Sequence, residues 1–91
     1  MPERNWSVEL TRSALKDLER LGKTVSSRII GRLEELGGTQ NPLRYKGVRA
    51  LEGKLKAFYR LRVGEYRVIF ELDPGNGRIG VLAIVSRGKG Y

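Results

Sequence analysis

Residues 59–70 read Tyr59-Arg60-Leu61-Arg62-Val63-Gly64-Glu65-Tyr66-Arg67-Val68-Ile69-Phe70. On either side of Gly64-Glu65, apolar and polar residues alternate with a period of two, the pattern of two half-buried strands. A two-residue turn with glycine first joins them as a hairpin and fixes their register. Val63 then faces Tyr66, Leu61 faces Val68 and Tyr59 faces Phe70, which makes one coherent apolar face. The opposite face sets Arg62 against Arg67 and Arg60 against Ile69, with Lys56 and Phe58 further along. Like charges directly across a sheet are destabilising, so a fold does not need this pair. An anion between the two guanidinium groups would remove the repulsion and gain charge-assisted hydrogen bonds. Arginine's planar fork suits phosphate. The competing reading is a solvated strand face with its arginines splayed apart. Phe58 can stack a base, or pack under a partner or a loop.

The alternation extends from Lys54 to Val63 and from Tyr66 to Leu72. Asp73-Pro74-Gly75-Asn76-Gly77 then reads as a turn. Ile79 to Val85 is almost continuously apolar, which suits a strand covered on both faces or centrally placed. Upstream of the hairpin, Thr39 to Gly53 has weak periodicity, with a turn at Asn41-Pro42 and a short strand expected at Ala50 to Glu52. Arg44, Lys46 and Arg49 make this link basic, and Leu43, Val48 and Leu51 are expected to pin it to the body.

Two helices precede the link. Leu15, Leu18 and Leu21 form the apolar stripe of the first, capped by Thr11 or Ser13 and stopped at Gly22. Val25, Ile29, Leu33 and Leu36, broadened by Ile30, form the stripe of the second, with Thr24 as its N-cap and Gly37-Gly38 as its end. Before them Trp6, Val8 and Leu10 alternate as a short strand. The fold class is therefore α+β: an N-terminal strand, an antiparallel helical hairpin, then a three- to four-stranded antiparallel sheet packed on the helices. One domain spanning residues 1–91 is expected.

Composition narrows the chemistry. Lys and Arg total 18 against 10 Asp and Glu, a net charge of +8 in 91 residues. So strong a basic balance in a small domain is the footprint of a polyanion partner, nucleic acid above all. The alternatives are a basic surface that only aids solubility, or one that meets an acidic protein. There is no cysteine and no histidine. Disulfides and thiolate metal sites are excluded, as is the usual general base near neutral pH. Acid–base chemistry must come from Lys, Arg, Tyr, Glu or Asp. No Walker loop, zinc spacing, nucleophile elbow or dinucleotide fingerprint occurs, so neither a cofactor nor a metal is expected. No apolar leader or membrane-spanning run is legible, and a cytoplasmic protein with no membrane partner is expected.

The block from Arg60 to Phe70, the ordered leucines Leu15, Leu18 and Leu21, the Leu51-Glu52-Gly53 segment and the ending Arg87…Tyr91 resemble toxins of the RelE/ParE superfamily of type II toxin–antitoxin systems. The resemblance covers nearly the whole chain. It implies the same order of strand, helical hairpin and antiparallel sheet. For the RelE-like branch it implies a ribosome-dependent mRNA endonuclease, an mRNA interferase acting in the ribosomal A site by attack of the ribose 2′-OH on the adjacent phosphate. By position it implies catalytic roles for Arg60, Arg67, Arg87 and Tyr91. Lys54, Lys56, Phe58 and Arg62 would then contact RNA. Partners implied are a cognate antitoxin, mRNA and 16S-type ribosomal RNA. One position departs from the branch pattern: Phe58 stands where a lysine is expected two residues before Arg60, and Lys56 on the same strand face is a substitute. The departure bears on the rate of cleavage more than on RNA binding. A ParE-type inhibitor of DNA gyrase shares the fold and hairpin without needing Tyr91, and a catalytically weak antitoxin-binding module is the third reading.

Overall fold

The computed structural model describes residues 6–51 and 58–86. Seven principal elements follow one another: β1 (Ser7–Leu10), α1 (Arg12–Glu19), α2 (Gly22–Gly37), β2 (Val48–Ala50), β3 (Phe58–Val63), β4 (Tyr66–Asp73) and β5 (Arg78–Ser86). The strands form one five-stranded sheet in the order β1-β5-β4-β3-β2. The last four pair antiparallel, the upper end of the expected strand count. β1 adds a fifth strand, parallel to β5 at the sheet edge. Both helices lie on one face, and no described helix covers the other.

The hairpin register is the one the turn dictates. Val63 pairs with Tyr66, Arg62 with Arg67, Leu61 with Val68, Arg60 with Ile69 and Tyr59 with Phe70. Gly64 makes the turn possible with φ of +59°, a left-handed backbone that L side chains rarely adopt. Leu61, Val63, Val68 and Phe70 are buried against Ala14 and Leu18 of α1 and Ile29, Leu33 and Leu36 of α2. Ile79, Val81 and Ile84 of β5 complete this core. β5 is apolar along its length because it sits inside the sheet, between β1 and β4.

Side chains at the start of α1 and within it fasten it to β5. The Thr11 hydroxyl accepts from the Ala14 amide at 3.0 Å, capping the helix, and donates to the Leu82 carbonyl at 3.2 Å. Leu82 is the residue left without a partner where the β4–β5 register slips, since Ile69 pairs with Ala83 but Phe70 with Val81. The Asp17 carboxylate accepts from the Ile84 amide at 2.9 Å.

Some expectations fail for identifiable reasons. Leu15 is 47% exposed. Each helical residue turns about 100°, so leucines three apart drift round the axis. The sheet instead takes Ala14 and Leu18, four apart. Ile30 is exposed beside the buried stripe of α2, and Leu43 is exposed as well. Val48 and Leu51 do pin the link, and buried Pro42 and half-buried Tyr45 take the place of Leu43. Thr24 is not the N-cap of α2, because that helix already begins at Gly22, where φ is +82° and no side chain caps it. β2 covers Val48–Ala50, two residues ahead of the strand expected there. Among the described residues, no helix is long and apolar enough to cross a membrane.

Candidate nucleic-acid interface

The register decides which side chains share the open face of the sheet. Side chains alternate along a strand, and directly paired residues point to the same side. Arg60 and Arg62 of β3 therefore share a face with Arg67 of β4, and Arg49 of β2 joins them because it pairs with Arg60. Phe58 lies on the same face, opposite Glu71, half-buried. Arg49 and Arg62 are exposed, and Arg60 and Arg67 are half-buried. Ile69, paired with Arg60, is buried on this face too, with half-buried Ala83 and Val85 on the adjoining strand. The arginines thus stand beside an apolar floor, where charge is less screened than in open water.

The other end of the same face carries its charges in compensated form. Arg78 donates to Glu9 across the parallel pair at 3.4 Å and to Asp73 at 3.3 Å. This face therefore carries an Arg78-centred ion-pair group at its β1–β5 side and a cluster of arginines at its β3–β2 side. Asn76 also donates to Asp73, at 2.9 Å. The hydrogen bond from Asn76, then that from Arg78, holds the Asp73 carboxyl below its ordinary pKa. A lowered folded-state pKa stabilises the fold at pH values above the unfolded one, and this contribution disappears as pH falls through the folded value. The urea midpoint should therefore drop below about pH 4. Asp73→Asn should flatten that part of the profile, and an unchanged slope in the variant would remove Asp73 as its cause.

The turn at the hairpin tip draws in a further cation. A side chain at Gly64 would meet the Arg28 guanidinium of α2 at 3.1 Å, so Arg28 reaches across to the tip. Nothing in the sequence separates Arg28 from any other polar helix position. Arg49 was legible only as part of a basic link until its pairing with Arg60 fixed its face.

Arg60 has a defined direction. Its Nη1 donates to the Gly47 carbonyl at 2.7 Å, and the Arg62 amide donates to the same oxygen at 3.0 Å. The acceptor therefore lies level with Arg62. Arg60 extends along the face and carries its guanidinium toward the Arg62–Arg67 pair. The structure so brings Arg60, Arg62 and Arg67 into one row. Lys54, Lys56, Arg87 and Tyr91 lie outside the described residues.

A family model described as "ParE toxin of type II toxin-antitoxin system, parDE" matches residues 8–91. The chain belongs to this family. It is 28% identical over 88 residues to the toxin RelE of Mycobacterium tuberculosis (strain ATCC 25618 / H37Rv), covering 94% of this chain and 86% of that protein. The RelE–RelB complex of Pyrococcus horikoshii OT3 contains a chain with TM-score 0.76 and 27% identity, covering 94% of this toxin and 99% of that chain. The RelBE2 toxin–antitoxin complex of M. tuberculosis contains one with TM-score 0.81 and 21% identity, covering 97% and 98%. At that identity the likeness establishes the fold. The protein is accordingly a RelE-like toxin of a toxin–antitoxin system, with a two-helix, five-stranded α+β fold.

Proposed function

We propose that this toxin is an RNA endonuclease that cleaves mRNA in the ribosomal A site and is held inactive by a cognate antitoxin. The observation that carries the reading is the direct pairing of Arg62 with Arg67, with Arg60 steered to the same level. Three guanidinium groups gathered on one face of the sheet fit a phosphodiester.

The reaction needs no external nucleophile. The ribose 2′-OH loses its proton and attacks the adjacent phosphorus, and the bond to the 5′-oxygen of the next nucleotide breaks. That oxygen takes a proton, so the products are a 2′,3′-cyclic phosphate and a 5′-OH. Negative charge builds on the non-bridging oxygens as phosphorus becomes five-coordinate. Arg62 and Arg67 are assigned to those oxygens, where fixed cations stabilise the transition state more than the ground state. Arg60, steered to the same level, shares the charge that builds at this phosphate in the transition state. By their position in the sequence, Arg87 supports the leaving oxygen and Tyr91 stacks on the base or moves a proton. Phe58 of β3 and, by their position in the sequence, Lys54 and Lys56 extend the RNA contact. Toxin–antitoxin complexes among the similar structures support an antitoxin as the second partner.

Primer extension on mRNA in a translating extract tests this directly. The antitoxin-free protein should create new 5′ ends within codons, and intact mRNA at saturating toxin would sink the reading. The match to a family described by its ParE toxin favours a second reading, inhibition of DNA gyrase. Supercoiling blocked at stoichiometric protein with mRNA uncut would establish that one instead.

A further inference from the structure

Gly47, the acceptor for Arg60, belongs to a turn. The Val48 amide donates to the Tyr45 carbonyl at 3.2 Å, closing Tyr45-Lys46-Gly47-Val48, and Gly47 has φ of +87°. A positive φ at the third position goes with one of the two orientations open to the central peptide of such a turn. The carbonyl of that central peptide is the carbonyl of Lys46. Arg32 of α2 donates to it from Nη2 at 3.4 Å and to the Tyr45 hydroxyl from Nε at 3.0 Å. The Tyr45 hydroxyl in turn donates to the Glu35 carboxylate, one helical turn from Arg32. Burial, then the bond to Glu35, raises the phenol pKa against the opposing pull of Arg32, so Tyr45 stays a donor. The space beside Gly47 is also filled: an added Cβ would meet the Arg62 carbonyl at 3.3 Å and Arg32 at 3.4 Å.

From this chain of contacts we infer that Glu35, Tyr45 and Arg32 act as positioning residues, locking the turn so that the Gly47 carbonyl aims Arg60 at the RNA backbone beside Arg62 and Arg67. The inference rests on the RNA-cleavage reading for its consequence, but the clamp is a property of the free protein. The bond from Arg60 to Gly47 is charge-assisted, and its acceptor already holds the Arg62 amide. The Gly47 carbonyl lies in the peptide that follows the central one, so a turn released from α2 shifts this oxygen from the level of Arg62 and loosens the aim of Arg60. Displacement of a catalytic group by about 1 Å costs on the order of 10²-fold in rate, so a clamp remote from the RNA has leverage.

Tyr45→Phe keeps the ring and removes both hydroxyl contacts. The expected result is a kcat for mRNA cleavage lower by about 10- to 100-fold, with KM within a factor of about three and the variant still folded. Glu35→Gln retains an acceptor for the hydroxyl and should keep most of the activity that Glu35→Ala loses. Arg32→Lys keeps the charge without the fork and should behave like Tyr45→Phe. Independently of activity, the Arg60 guanidinium Nη–H resonance of the antitoxin-free toxin should be distinct and slowly exchanging in wild type, and should shift and exchange faster in Tyr45→Phe. An unchanged Arg60 resonance overturns the clamp whether or not the toxin cuts RNA. An unchanged kcat in Tyr45→Phe, with Arg60→Ala inactive, overturns its role in the reaction while leaving the proposed activity standing. A wild-type protein that cuts no mRNA defeats the activity, and with it the catalytic role.

Discussion

Arg67→Ala should slow mRNA cleavage by about 10²- to 10³-fold, with a melting temperature within about 5 °C of wild type. The two halves of this expectation have different causes. Arg67 stands opposite Arg62 on the face of the sheet that no described helix covers. Its charge is assigned to the non-bridging oxygens of a five-coordinate phosphorus, and removal of one such fixed donor has effects of that size. In the free protein Arg67 is a half-buried strand residue opposite a like charge, so truncation removes some packing of the side-chain stem and relieves some repulsion. Stability should therefore move little as activity collapses. Arg67→Lys discriminates further: the charge remains and the bidentate fork does not, so an intermediate rate is expected. Single-turnover cleavage and a thermal melt of each variant check both halves. Activity close to wild type in Arg67→Ala would remove the hairpin pair from the chemistry.

The hairpin was legible because its information is local. A two-residue turn with glycine first permits one register, and the register alone assigns Arg60, Arg62 and Arg67 to one face. The core residues Leu61, Val63, Val68 and Phe70 followed from the same alternation. The elements that were missed depend on contacts far apart in the chain. The parallel pairing of β1 with β5 joins Ser7 to Arg78, and no short-range pattern encodes it. Exposure of Leu15 and Ile30 depends on which side of each helix the sheet occupies, and apolar spacing alone placed both on the buried stripes. The link before β3 lacked periodicity because its apolar contacts, Pro42, Tyr45, Val48 and Leu51, are irregularly spaced and hydrogen bonds to α2 and a left-handed glycine help to hold it. Arg32, Glu35 and Tyr45 consequently read as ordinary polar positions, yet they connect α2 to the turn that directs Arg60. The local part of the site could be read from its strands, and its support could be read only from the fold.

Phe70→Ala should abolish the same activity by the opposite route. Phe70 is fully buried and belongs to the strand that carries Arg67. Its ring packs against Tyr59, with centroids 5.7 Å apart and a tilt of 32°, and its cross-strand neighbours are Tyr59 and Val81. Removing a buried phenyl ring costs about 3–5 kcal/mol, because the lost transfer energy is joined by a cavity that the surroundings fill only in part. A domain of this size has a total stability of about 5–15 kcal/mol. The melting temperature should fall by on the order of 15 to 30 °C, and the antitoxin-free protein should be partly unfolded at growth temperature. Phe70→Leu leaves a smaller cavity and should recover much of the loss. Loss of toxicity in a cell cannot distinguish this variant from Arg67→Ala, whereas urea denaturation can: the midpoint falls sharply for Phe70→Ala and stays near wild type for Arg67→Ala. A midpoint unchanged by Phe70→Ala would mean that the apolar face of the hairpin does not hold the two layers together. The row of arginines would then lose the rigid support on which its geometry depends.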